Sequence, residues 1–205
     1  MTTPTREAFH LPQQSKVIIV HGAIRRPVTK VWMESFCSYL SVRGIPAECF
    51  YWSGIPASFA TRAASRKLLR RLGQFKSSSV AIWCKSTGAD VVNLAAARIK
   101  PRVIVQVAPG FAASKALEPD AKRVTIRLAH DSFLKCWERM RVIRRLPTTS
   151  GPEHVIIGPT ELGHHDLNYD REVVLSTQRR VHLYALYAEL LAADWDKELG
   201  PPGIC

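Results

Sequence analysis

Hydrophobic and polar residues follow one another along this chain with two different periods. Apolar runs of strand length, rich in valine and isoleucine, predict β-strands at residues 16–20, 47–52, 80–83, 103–107, 124–128 and 154–157. Between these runs, apolar residues recur three and four positions apart, which predicts helices over 31–42, 61–75, 87–99 and 171–194, and one more after Asp131. Strands that are apolar throughout are typical of a parallel sheet covered by helices on both faces.

The pattern therefore predicts an α/β protein, a three-layer α/β/α sandwich around a mostly parallel sheet of about six strands. A chain of 205 residues is long enough for one domain with a substantial core. We expect this domain to span residues 16–199, after a loose polar lead-in at 1–15 and before a tail at 200–205 that contains paired prolines and glycines. The sequence shows no internal repeat and no linker that would divide it.

Overall composition is ordinary and indicates a soluble protein. Hydrophobic residues make up 46% and charged residues 22% of the chain, as is usual for globular domains. No apolar run is long enough to span a membrane, and the N-terminus lacks the apolar segment of a signal peptide. The five cysteines are odd in number and form no C-x-x-C motif, so we expect reduced thiols in a cytoplasmic protein.

The positive charge is less ordinary. The chain has 29 Lys and Arg against 17 Asp and Glu, a net charge of +12. The excess is clustered at Arg25 and Arg26, on the predicted helix over 61–75, and between Arg139 and Arg145. Such a surface favours anionic partners, although a solvated helix face is the simpler interpretation. Nucleic acid binding has no support, because no recognised binding module accompanies the arginines.

The turn after the third predicted strand carries the most chemical information. It reads Cys84-Lys85-Ser86-Thr87-Gly88 and joins a strand to a helix through small residues. In the pattern G-x-S-x-G, this geometry exposes a serine hydroxyl above the sheet, beside the N–H groups of the helix start. Cys84 replaces the first glycine of that pattern. A phosphate-binding loop is excluded, because its two glycines would have to stand at Ser79 and Cys84.

Further polar residues follow other strands at the same end, where ligand sites of parallel sheets lie. Asp131 follows the fifth predicted strand, and the neighbouring His164 and His165 follow the sixth. A serine, an acid and a histidine thus occur in the chain order of one class of serine hydrolases. His21 follows the first strand, and we expect it to organise the adjacent loop rather than to transfer protons.

These segments together resemble the α/β-hydrolase superfamily, and most of all its small, lidless single-domain lipases and esterases. The resemblance covers about residues 16–194 and includes His21-Gly22 before the oxyanion loop, the elbow at 84–88, the acid after the next-to-last strand and the pair Gly163-His164. It implies Ser86 as the nucleophile, Asp131 as the acid and His164 as the general base, with His165 as the alternative base.

The resemblance also implies a reaction. The chain is expected to cleave a small-molecule carboxylic ester or thioester through an acyl-enzyme intermediate, with backbone N–H groups of Ala23 and Thr87 as the oxyanion hole. No cofactor and no metal is implied. Arg25, Arg26 and Lys85 are expected near the mouth of the site, where they favour an anionic substrate. The alternative is a non-catalytic α/β-hydrolase-like binding protein, because the oxyanion loop lacks its usual glycines. The acyl group and the oligomeric state stay open.

Overall fold

The fold is built around one parallel sheet of six strands in the order β2-β1-β3-β4-β5-β6. The structure is a computed structural model that describes residues 16–22, 27–55, 57–75, 79–96, 98–109, 122–129, 131, 135–136, 154–158 and 162–193. The strands of the sheet are β1 Lys16–Val20, β2 Ala47–Phe50, β3 Val80–Lys85, β4 Val103–Val107, β5 Arg123–Leu128 and β6 His154–Ile157. The helices are α1 Pro27–Val42, α2 Ser58–Leu72, α3 Gly88–Ala96 and α4 Leu183–Ala192.

Alternate residues of β1, β3 and β4 contribute to two separate hydrophobic layers. In β3, Ala81 and Trp83 belong to the layer that contains α1 and α4, whereas Ile82 and Cys84 belong to the layer that contains α2 and α3. Both faces of the sheet are therefore covered. The predicted three-layer α/β/α sandwich with a parallel sheet is confirmed.

Aromatic rings fix α1 and α4 onto the centre of the sheet. The ring of Phe36 on α1 lies 5.6 Å from Trp83 on β3, 4.8 Å from Tyr184 and 5.6 Å from Tyr187, both on α4, measured between ring centroids. Buried aromatic pairs at such distances stabilise a core beyond the area that they bury. These contacts hold α4, which follows the β6 loop and the hairpin, against the sheet.

The predicted helix over 171–194 is wrong in its first half. Residues Glu172–Val174 and Arg180–His182 form an antiparallel pair of strands, β7 and β8, and the helix begins only at Leu183. The β-branched valines and the turn at Gln178, with φ of 64°, favour a hairpin here. Leu175 also forms an isolated antiparallel bridge to Ile157 at the end of β6, which joins the hairpin to the edge of the main sheet.

Several predictions fall outside the described residues. These are the lead-in at 1–15, the tail at 200–205, the arginines at 139–145 and most of the segment after Asp131, where only residues 135–136 are described, as helix. The cysteines that are described carry free thiols, and the Sγ atoms of Cys37 and Cys49 lie 3.1 Å apart. None of the helices within the described part of the chain is long and apolar enough to cross a membrane.

Candidate active site

Ser86 lies in a tight turn between the central strand β3 and helix α3. Its φ of 49° is in the left-handed region, which non-glycine residues rarely occupy, and its side chain is largely buried. The Ser86 N–H donates to the carbonyl of Val107 at 3.0 Å, while its carbonyl accepts from the N–H of Ala89 at 3.0 Å as α3 begins. The strand, strained turn and helix that the motif predicts are therefore present.

Two glycines allow the end of β1 to approach this turn. A Cβ atom on Gly22 would lie 2.8 Å from the Cβ of Ser86, and one on Gly88 would collide with the carbonyl oxygen of His21. Side chains are excluded at both positions by neighbouring atoms rather than by backbone torsion. The second glycine of the G-x-S-x-G pattern is thus required here for close packing, whereas Cys84 at the first position simply fills the core.

His164 and Asp131 form a buried pair at the same edge of the sheet. The Nδ1 atom of His164 lies 2.9 Å from Oδ2 of Asp131, and their side chains are only 3% and 6% exposed. The carboxylate accepts, so the imidazole donates from Nδ1 and leaves Nε2 as the acceptor. His165 is exposed, with its ring perpendicular to that of His164. Of the two adjacent histidines, His164 is therefore the one whose hydrogen bond to Asp131 fits the role of the base.

The surroundings of His164 favour its neutral form. Burial lowers its pKa below the ordinary value of 6.5, and the nearby Lys85 lowers it further, while the hydrogen bond to Asp131 acts in the opposite direction. A neutral imidazole at neutral pH is the form that accepts a proton. Burial also raises the pKa of the Cys84 thiol, so this cysteine stays protonated.

Comparison with known proteins rests on structure, because no protein-family model and no curated protein matches the sequence. A protein from Xanthomonas campestris pv. campestris assigned to the α/β hydrolase superfamily is 15% identical, with 75% of this chain and 88% of that chain covered and a TM-score of 0.51. A lidless α/β serine hydrolase from Xanthomonas campestris is 16% identical, with 77% and 76% covered and a TM-score of 0.52.

The chain has the α/β-hydrolase fold. The resemblance inferred from the sequence is thus confirmed at the level of the fold, and both relatives are covered over most of their length. In this fold the elbow of Ser86 follows the central strand β3, and the acid and the histidine follow β5 and β6. All three positions lie at the carboxyl ends of parallel strands, where sites of open α/β sheets form.

The expected position of Lys85 at the mouth of the site is wrong. Strand β3 runs on to Lys85, which is 3% exposed and lies opposite Val107 in the register with β4. Its side chain points to the same face as Trp83 because alternate residues of a strand share a face. There, Nζ donates to the carbonyl of His164 at 2.7 Å and to Oδ1 of Asn168 at 2.6 Å.

The loop after β6 that carries His164 is held from several sides, which the sequence did not indicate. The hydroxyl of Tyr184 donates to the carbonyl of Asn168 at 2.9 Å, and that of Tyr187 donates to the carbonyl of Leu167 at 3.0 Å. Within the loop, Asp166 accepts from the N–H of Gly163 at 2.8 Å. Tyrosines spaced three apart on a helix look like ordinary core residues, so no local signal marks this role.

His21 is hydrogen-bonded at the ends of β1 and β2, and the loop that it is expected to organise, residues 23–26, lies outside the described residues. The backbone N–H of Trp52 donates to its Nε2 at 3.1 Å, so the ring carries its proton on Nδ1 and donates it to the carbonyl of Gly22 at 2.8 Å. The indole of Trp52 donates to the His21 carbonyl at 2.8 Å. These bonds tie the end of β2 to the end of β1 beside the elbow.

The remaining site predictions divide into two groups. Thr87 is buried at the start of α3, next to Ser86. Ala23, Arg25 and Arg26 lie outside the described residues. Across the described part of the chain, no group of three or more histidine, cysteine, aspartate or glutamate side chains is arranged to hold a metal ion.

Proposed function

We propose that this chain is a serine hydrolase that cleaves a carboxylic ester or thioester through an acyl-enzyme intermediate. The observation that carries the proposal is the buried pair of His164 and Asp131, 2.9 Å apart, at the sheet edge where Ser86 occupies a left-handed elbow. A binding protein would not need a strained serine, a buried acid and a histidine whose Nδ1 bonds that acid, all at one edge of the sheet. The α/β-hydrolase fold agrees with this assignment but does not specify the reaction.

The proposed reaction starts with proton transfer from Ser86 to Nε2 of His164 as the serine oxygen attacks the acyl carbonyl. Asp131 accepts the Nδ1–H, which holds the imidazole in the required tautomer and stabilises its cation. The imidazolium then protonates the leaving alcohol or thiol, and the carbonyl re-forms as an acyl ester of Ser86. Water, deprotonated by the same histidine, releases the acid and restores the serine.

The oxyanion that forms in both steps needs hydrogen-bond donors. Thr87 follows the nucleophile at the positive end of α3, so its backbone N–H is suitably placed for this role. Ala23 stays the proposed second donor by analogy with the fold. The proposed preference for an anionic substrate now depends on Arg25 and Arg26 alone, because Lys85 is buried.

Substitution of the nucleophile tests the proposal. Hydrolysis of a nitrophenyl ester and of the corresponding thioester should fall by about three to six powers of ten in Ser86→Ala, because the triad acts as a unit. Circular dichroism and the thermal midpoint should show that this variant is folded. Wild-type-like activity of highly purified Ser86→Ala would refute Ser86 as the nucleophile, whereas a folded wild type that is inactive on a panel of acyl chain lengths would favour the non-catalytic binding protein.

A further inference from the structure

Lys85 is a buried cation on an otherwise apolar strand. Every residue of β3 is buried, and Lys85 is 3% exposed. Burial of an ammonium is unfavourable unless hydrogen bonds replace the lost water. Its Nζ donates two short bonds, to the carbonyl of His164 at 2.7 Å and to Oδ1 of Asn168 at 2.6 Å. Both acceptors belong to the loop between β6 and β7.

These two bonds connect the elbow with the loop of the histidine. Lys85 directly precedes Ser86 in the chain. Its side chain therefore connects the backbone beside the serine to the carbonyl of His164. The tyrosines of α4 hold the far part of the loop, at the carbonyls of Leu167 and Asn168. Lys85 bonds the side chain of Asn168 in that part and also supports the near part, at the carbonyl of His164, where the imidazole is attached.

We propose that Lys85 is a positioning residue, which sets the place of His164 relative to Ser86 by holding the histidine loop against the end of β3. The inference rests on the proposed function, because it assigns Lys85 to the same reaction. Lysine suits the task because its ammonium carries three donors and no acceptor, which matches the two acceptor oxygens at this depth. A displacement of about 1 Å between reacting groups costs about 100-fold in rate.

The charges around Lys85 are those of the site itself. Burial lowers the pKa of Lys85 to about 7, while Asp131 and Asp166 favour its charged form. The ammonium in turn lowers the pKa of His164, which His165 also lowers and Asp131 raises. The hydrogen bonds from Nζ persist in both protonation states, because the neutral amine still carries two N–H groups. Removal of Lys85 removes its positive charge beside the imidazole.

The first test is Lys85→Met, which keeps the length of the side chain and removes its donors. We expect kcat for the nitrophenyl ester to fall about 10- to 100-fold with KM of the same order. The acid limb of the profile of kcat/KM against pH should move to higher pH, because the charge that lowers the His164 pKa is gone. Lys30→Met, an exposed lysine on α1, is the matched control and should behave as wild type. Lys85→Gln, which keeps a shorter donor, should lie between wild type and Lys85→Met.

The second test needs no activity. Hydrogen exchange of the backbone amides at 163–169 should be faster in Lys85→Met than in wild type, and Asn168→Leu, which removes one acceptor from the other side, should show a smaller increase. If Lys85→Met does not fold, Asn168→Leu carries both measurements. Unchanged kcat or unchanged exchange in this loop would overturn the positioning role. Faster exchange in a protein whose wild type hydrolyses no ester would instead refute the proposed function and leave only the structural tie.

Discussion

The adjacent histidines His164 and His165 differ in their surroundings, although their chemistry is the same. His164 is buried against Asp131, whereas His165 is exposed beside it. A base must be held in one tautomer and orientation, and a carboxylate at Nδ1 does both. The sequence favoured His164 because a glycine precedes it, and the geometry gives a physical reason for that preference.

Alanine substitution of each histidine should separate the two roles. His164→Ala should lower kcat/KM by about the same three to six powers of ten as Ser86→Ala, because losses within a triad are not additive. His165→Ala should keep kcat/KM of the wild-type order. The measurement is steady-state hydrolysis of an activated ester by both purified variants. A larger loss in His165→Ala would move the base to that residue.

The pH dependence belongs to the same residue. Only the neutral imidazole accepts the serine proton, so activity should fall as the pH drops through the His164 pKa. Because burial keeps this pKa below 6.5, the acid limb of kcat/KM should have its midpoint on the acid side of that value. A midpoint clearly above 6.5 in wild type would contradict the buried, desolvated environment that the structure assigns to the base.

At the scale of elements, the elbow depends on how closely β1 approaches the start of α3. Gly88 lies against the carbonyl of His21, with no space for a Cβ atom. By contrast, Gly73 after α2 has a helical φ of −61°, and a Cβ there would make ordinary contacts with the carbonyl oxygens of Leu69 at 3.4 Å and Arg70 at 3.7 Å. The two glycines therefore provide a matched pair for testing the packing of the elbow.

Gly88→Ala should destabilise the protein by about 1–3 kcal/mol, because the added methyl forces backbone apart in a packed region. It should also lower the proposed activity, since the displaced segment carries Ser86. Gly73→Ala should leave stability unchanged or raise it slightly, because alanine fits this conformation and restricts the unfolded chain. Urea denaturation of both variants measures the difference. Equal midpoints for both would refute the tight approach.

Sequence patterns predicted the six strands and the order of the site residues because each strand is apolar throughout and each site residue follows a strand. They failed where local pattern and tertiary contact compete. The helical spacing after Arg171 concealed the hairpin of β7 and β8, and the assumed end of β3 at Trp83 put Lys85 on the wrong side. Because β3 continues through Cys84 and Lys85, this lysine is a buried residue that bonds the histidine loop, and not the expected substrate contact.

For the whole molecule, the parallel sheet explains why site residues far apart in sequence lie at one edge. Ser86, Asp131 and His164 follow β3, β5 and β6, whose carboxyl ends lie along one edge. The net charge of +12 has no comparable explanation in the fold. The basic residues of α2 line its exposed face, and Arg71 is paired with Glu48 through two bonds of 2.7 Å. That arrangement is typical of a solvated helix surface.

Covalent labelling would show whether Ser86 is an activated nucleophile. A fluorophosphonate probe reacts with a serine that a neighbouring base deprotonates, whatever the natural substrate. We expect a stoichiometric adduct that peptide mapping places on Ser86, and that disappears in Ser86→Ala and His164→Ala. A folded wild type that stays unlabelled at high probe concentration, or a label that persists in Ser86→Ala, would contradict it.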